Sequence, residues 1–235
     1  MRLFRDHLEL SRAAADLFED SARQAIATRG RFLVALSGGT TPVALYQRLV
    51  QSPIDWERVH VFWGDERCVP VDDPGNNYGQ ARLVLLSHVP LPAGNIHRIK
   101  SELKPAAAAR DYAAVLKQFA EPPLNWPRFD LVLLGMGEDG HVASIFPGSR
   151  PESAVPVRPV TADYQDRPTQ RVTLTPLVFN SARQILFLVS GAGKSKALAS
   201  VLKGEPRPDR FPAQRIQPSD GIVTWLIDSQ AGALL

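Results

Sequence analysis

Repeatedly along this chain a short apolar run stops abruptly at a glycine-containing polar turn. Residues 32–36 (FLVAL) run into Ser37-Gly38-Gly39-Thr40, and 59–63 (VHVFW) into Gly64-Asp65-Glu66-Arg67. Residues 129–134 (FDLVLL) run into Gly135-Met136-Gly137, and 185–189 (ILFLV) into Ser190-Gly191-Ala192-Gly193. Runs this short and this apolar read as strands buried on both faces. Helical patterns lie between them. Residues 8–29 bring Leu10, Ala14, Leu17, Phe18 and Ile26 to one face, with Gly30 as a stop. Pro42 opens a helix through about Val50, a favoured position for proline. A polar loop at 72–77 precedes a helix through about Ser87, and 106–120 is an alanine-rich helix. Residues 171–175 (RVTLT) alternate as a strand, 176–182 read as a short helix, and another helix runs to about Leu202. Residues 223–227 close the chain as a strand, and the proline-rich stretch from Gly148 to Pro168 reads as irregular. Strands alternating with helices predict the α/β class: one domain over 1–235, a mostly parallel sheet flanked by helices.

In such sheets ligands bind beyond the carboxyl ends of the strands, where these turns lie. The Ser37-Gly38-Gly39-Thr40 turn sits between a strand and a helix, and its backbone N–H groups suit an anion, most often phosphate. A plain helix cap would need fewer glycines and hydroxyls. The segment Ala35–Gly39 lacks the first glycine of a serine-hydrolase elbow, so Ser37 is not read as a nucleophile. Asp65, Glu66 and Arg67 follow a strand directly, as site groups do in this class. Asp139 and His141, two residues apart in a glycine turn, form an acid/base pair. Gly135 to Gly140 formally satisfies GxGxxG. It nevertheless carries Glu138 and Asp139 where a pyrophosphate would lie, and meets Pro147 soon after, so no dinucleotide site is expected. Gly193-Lys194-Ser195 has Leu188 where a Walker A loop needs glycine. Lys194 still opens a helix after an apolar strand and suits a phosphate, with Arg171 a second candidate.

Composition narrows the alternatives. The single cysteine, Cys68, allows no intrachain disulfide, which fits a reducing, cytoplasmic setting. It reads as a small buried residue, not a nucleophile. Histidines 7, 60, 88, 97 and 141 show no metal-ligand spacing. The charged start of the chain has no signal-peptide core, and no apolar run is long enough for a bilayer. A net charge of +3 with scattered basic residues argues against nucleic acid and leaves a small anionic ligand open.

Taken in order, LSGGTTP (36–42), FWGDERCVP (62–70), NNYG (76–79), LLGMGEDGHVASIFPG (133–148), RVTLT (171–175), SGAGKSKAL (190–198) and PAQRIQP (212–218) resemble the 6-phosphogluconolactonases. The resemblance implies a Rossmann-like fold without a dinucleotide. It also implies hydrolysis of 6-phospho-D-glucono-1,5-lactone to 6-phospho-D-gluconate in the oxidative pentose phosphate pathway, with no cofactor or metal. His141 is the implied general base, with Asp65 and Arg67 as active-site groups. Ser37, Gly38, Gly39, Thr40, Arg171 and Lys194 are the implied phosphate clamp. Either Asp139 or Asp65 orients the imidazole. The related amino-sugar-6-phosphate deaminases carry a glutamate five residues after the histidine, where this chain has Phe146. A deaminase/isomerase and a non-catalytic sugar-phosphate sensor are the alternative functions. The partner is a small sugar-phosphate lactone, with no nucleic acid or membrane, and the chain is a monomer or small homo-oligomer.

Overall fold

The computed structural model describes residues 1–149, 154–165 and 167–235. Its centre is a parallel sheet in the order β1-β9-β8-β5-β2-β3. The strands are β1 (Arg2–Phe4), β2 (Phe32–Leu36), β3 (Val59–Trp63), β5 (Leu131–Gly135), β8 (Gln184–Val189) and β9 (Ile222–Asp228). A second, antiparallel sheet in the order β4-β7-β6 joins β4 (Asp65–Arg67), β6 (Val157–Thr161) and β7 (Gln170–Leu174). The helices are α1 (His7–Arg29), α2 (Val43–Leu49), α3 (Asn77–Ala81), α4 (Pro105–Lys117), α5 (Pro176–Phe179) and α6 (Ser195–Lys203). A turn of π-helix, Arg82–Leu86, extends α3. No helix among the described residues is long and apolar enough to cross a membrane.

The apolar runs form the centre of the parallel sheet because they can be covered on both faces. Every residue of β2 is buried, as are those of β5 through Leu134. In α1, Asp6 caps the start by accepting from the Glu9 N–H, and Gly30 ends it at φ 75°. Its Leu10, Ala14, Phe18 and Ala22 are fully or almost fully buried. Phe18 meets Phe32 edge-on at 5.3 Å, and burying a side chain of that size contributes about 1.5–3 kcal/mol. Tyr112 of α4 is wholly buried, and its hydroxyl donates to the Trp63 carbonyl and accepts the Trp63 N–H.

Three expectations change. The Asp65–Arg67 turn is a strand, and residues 171–175 pair antiparallel with it in the second sheet, outside the parallel one. The Gly148–Pro168 stretch, apart from residues 150–153 and 166 outside the described part, contains β6, with Pro159 on an edge strand. Proline is tolerated at an edge, where an N–H need not join the ladder. The short β1 also escaped the pattern, being three residues at a sheet edge.

His60 on the edge strand β3 lies with Nδ1 3.1 Å from Nε2 of His97, their rings stacked. His97 also packs on Phe62 and Phe119. Burial, with the neighbouring His60, pushes His97 down to about 4 from the ordinary 6.5. Unfolding releases a histidine that binds a proton more readily, so this stability is present above pH ~6.5 and is lost as the pH falls toward 4. Thermal melts from pH 7.5 to 4.5 are expected to show Tm falling across that window, with a shallower fall in His97→Gln. Identical profiles for the two proteins would refute the assignment.

Candidate active site

The carboxyl edge of the parallel sheet builds one cavity of about 260 Å³. Ser37 to Thr41 line it from the turn after β2, Asp65 and Arg67 from β4, Gly135 to Glu138 and His141 from the turn after β5, and Lys194 from the turn after β8. The expected groups therefore converge from separate strand ends, with Asp139 one layer behind His141 and Arg171 elsewhere.

His141 sits in a turn closed by the Gly137 N–H donating to the His141 carbonyl at 2.9 Å. Gly140 takes φ 81° there, a conformation that favours glycine. A Cβ on Gly137 would lie 2.1 Å from His141 Nδ1 and 2.7 Å from Asp139 Oδ1, so only glycine lets the pair form. Asp139 Oδ1 is 2.6 Å from Nδ1 and also accepts the His141 N–H at 3.1 Å. Burial pushes the Asp139 carboxyl up, but the hydrogen bonds and charge of His141 outweigh it, so it lies below its ordinary range. Of the two aspartates, Asp139 is the one in contact with the imidazole. Phe146 and Tyr164 pack against the same ring, with centroids at 4.5 and 4.7 Å.

Asp65 is committed elsewhere. Its Oδ2 accepts from the Ser144 hydroxyl at 2.6 Å and its Oδ1 from Asn77 Nδ2 at 3.2 Å. Arg67 donates from Nη1 to the Gly75 carbonyl at 2.8 Å, while its Nε stands 4.0 Å from Asp65 with no hydrogen-bond acceptor among the described residues. Between them Glu66, completely buried, accepts the N–H groups of Arg67, Asn77 and Tyr78. Burial pushes its carboxyl up to about 7, against those donors. Alternation along a strand explains the division: Asp65 and Arg67 face the cavity, and Glu66 faces inward and anchors the start of α3.

The turn after β2 is shaped for an anion. Tyr46, buried on α2, clasps Ser37 through both its N–H and its carbonyl. The N–H groups of Gly38, Gly39, Thr40 and Thr41 have no acceptor among the described residues, and these four line the cavity. A Cβ at Gly38 would overlap Asn77 Oδ1 at 1.7 Å. Across the cavity wall, Asp228 holds the turn after β8 by accepting from the Ser190 hydroxyl at 2.5 Å and the Gly191 N–H. Lys194 follows that turn, pushed down by burial and drawn back up by Glu138.

Arg171 does not line the cavity. It is 1% exposed, its Nε donates to the Pro168 carbonyl at 2.8 Å, and its guanidinium lies over the Phe146 ring at 5.2 Å. Arg167 lines the cavity instead, and sequence reasoning missed it because it sits in a stretch without periodicity. Tyr164 and Ser144 were missed because their partners, His141 and Asp65, are distant in sequence. A larger cavity, about 570 Å³, shares only Tyr164 with the first among the described residues; Asp139 and Phe146 line it in part, and no histidine does among those residues.

Comparison with known proteins agrees with this architecture. The family described as glucosamine-6-phosphate isomerases/6-phosphogluconolactonase matches residues 5–225. A 6-phosphogluconolactonase of Synechocystis sp. is 44% identical over 211 residues, covering 89% of this chain and 87% of that protein. The crystal structure of 6-phosphogluconolactonase from Thermotoga maritima superposes with TM-score 0.85 at 30% identity, covering 97% of this chain and 98% of that one. A monomeric glucosamine-6-phosphate deaminase superposes with TM-score 0.86 at 23% identity over the full length of both, which speaks to the fold alone. With its sheet order, its strand-end cavity and these matches over nearly all of its length, the chain belongs to the glucosamine-6-phosphate isomerase/6-phosphogluconolactonase family.

Proposed function

We propose that this chain hydrolyses 6-phospho-D-glucono-1,5-lactone to 6-phospho-D-gluconate, the lactone-opening step of the oxidative pentose phosphate pathway. One observation carries the reading: a single cavity is lined by an anion cradle and by a histidine held by a carboxylate. The relatives named 6-phosphogluconolactonase support the same substrate.

The phosphate binds the N–H groups of 38–41, and Lys194 and Arg167 match its charge. Asp139 accepts the Nδ1 proton of His141, which leaves Nε2 as the base. Nε2 takes a proton from water as that water attacks the lactone carbonyl. The carbonyl oxygen becomes an oxyanion, and Arg67, whose side chain lines the cavity, is the donor assigned to it. Collapse of the intermediate breaks the bond to the ring oxygen, which takes the proton from His141. The product is a carboxylic acid, ionised at neutral pH. Asp65 keeps Arg67 and the Ser144 segment in register. Arg171, with no cavity surface, has no part in phosphate binding in this scheme.

Freshly prepared lactone, with acid release followed above the spontaneous rate, is the decisive assay. His141→Ala is expected to lose about 10²–10⁴-fold in kcat; turnover near that of the parent would sink the base assignment. Lys194→Ala is expected to raise KM by about tenfold or more with kcat largely kept, since it removes ground-state phosphate binding. Gly137→Ala is expected to fold yet lose most of its turnover, because the new methyl group displaces the imidazole from Asp139. Full activity in that variant would mean the pair is not needed. Ammonia release from glucosamine 6-phosphate would indicate the deaminase alternative, against which Phe146 stands as an apolar ring beside the imidazole.

A further inference from the structure

Arg171 is the most deeply buried arginine among the described residues, and the lactonase scheme leaves it without a task. Its Cα partner across β4 and β7 is Arg67, so two guanidinium groups stand on neighbouring strands beside one site. Arg67 lines the cavity, whereas Arg171 does not. The Pro168 carbonyl fixes its Nε at 2.8 Å. Its Nη2 is shut off from solvent and has no acceptor among the described residues. Its guanidinium carbon lies over the Phe146 ring, 5.2 Å from the centroid, and a guanidinium held over an aromatic face is an attractive contact, strongest when desolvated. The ring of Phe146 in turn packs on the imidazole of His141 at 4.5 Å, tilted by 34°. Tyr164 stands on the same imidazole at 4.7 Å, edge to face. The imidazole is therefore held at Nδ1 by Asp139 and flanked by two aromatic rings, one of them backed by a buried cation.

We infer that Arg171 is a positioning residue that acts on His141 through Phe146, holding the ring whose face keeps the imidazole aligned with Asp139. This rests on the reading of His141 as the general base. The charged and titratable groups facing Arg171 are Arg67, Asp65, Arg167 and Tyr164, and those facing His141 are Asp139 and Tyr164. A base whose ring is free to swing spends less time in line with the attacked carbonyl, and small misplacements of this kind lower kcat without weakening substrate binding.

The test uses Phe146→Leu, Arg171→Met, the double variant and Phe146→Tyr. Each is assayed for kcat and KM with fresh 6-phosphogluconolactone, and the His141 C2 proton resonance is recorded without substrate. Phe146→Leu and Arg171→Met are each expected to lower kcat by on the order of tenfold with KM within about twofold. The double variant is expected to lose no more than the worse single, because both act through one contact chain. Phe146→Tyr keeps the ring face and is expected to retain kcat. The His141 resonance is expected to move in both single variants and to stay in place in Lys194→Ala. A raised KM with kcat kept in Arg171→Met would overturn the inference in favour of direct phosphate contact. An unmoved resonance and unchanged kcat in Phe146→Leu would overturn it too. Should Arg171→Met fail to fold, the half-buried Phe146 variants decide the matter alone. If the parent protein does not open the lactone, the proposed function fails, while the resonance still judges the stack.

Discussion

The backbone of Gly64 is the joint on which this architecture turns. Its N–H donates to the Leu36 carbonyl at 3.0 Å, ending the parallel pairing of β2 with β3, and its carbonyl accepts the Leu174 N–H at 2.8 Å, starting the antiparallel sheet. One residue thus passes the chain from a sheet buried on both faces to one that covers its carboxyl edge. Asp65 and Arg67 project into the cavity because they are the first residues after that joint. The turns after β2, β5 and β8 meet them because parallel strands end on the same side.

The site then depends on how its charges are matched. Buried carboxylates are tolerated only with donors, and the buried Glu66 and Asp228 and the half-buried Asp139 each have their own. Glu66 takes three backbone N–H groups, Asp228 takes the turn after β8, and Asp139 takes His141. These bonds fix the turns, and among the described residues the N–H groups of 38–41 and the side chains of Lys194 and Arg167 have no hydrogen-bond partner and line one cavity. The glycines are there for close approach: at Gly38 and Gly137 a methyl group would occupy the space of Asn77 and His141.

Much of this was legible in the residues. The buried strands declared themselves as uninterrupted apolar runs, α1 by its periodicity and its stop at Gly30, and the anion turn by glycines and hydroxyls placed between strand and helix. The identity of the His141 partner was not legible, since Asp65 and Asp139 are equally plausible in one dimension. Nor was the second sheet, because three-residue β4 and proline-bearing β6 carry too little pattern and gain their ladder only by meeting β7.

Local chemistry, then, was determined by the sequence alone: which segments are buried, where the backbone can turn sharply, and which acid, base and cationic groups stand beside those turns. Those properties depend on neighbours a few residues apart. The tertiary structure decided what lies across space. It put Arg167 in the cavity wall and Arg171 behind it, committed Asp65 to Ser144 and Asn77, and stacked Phe146 and Tyr164 on the imidazole. Side chains tens of residues apart meet only once strand register and crossover paths are settled, and in β7 the side of the strand on which Arg171 falls follows from its pairing with β4 and β6, which no local pattern encodes.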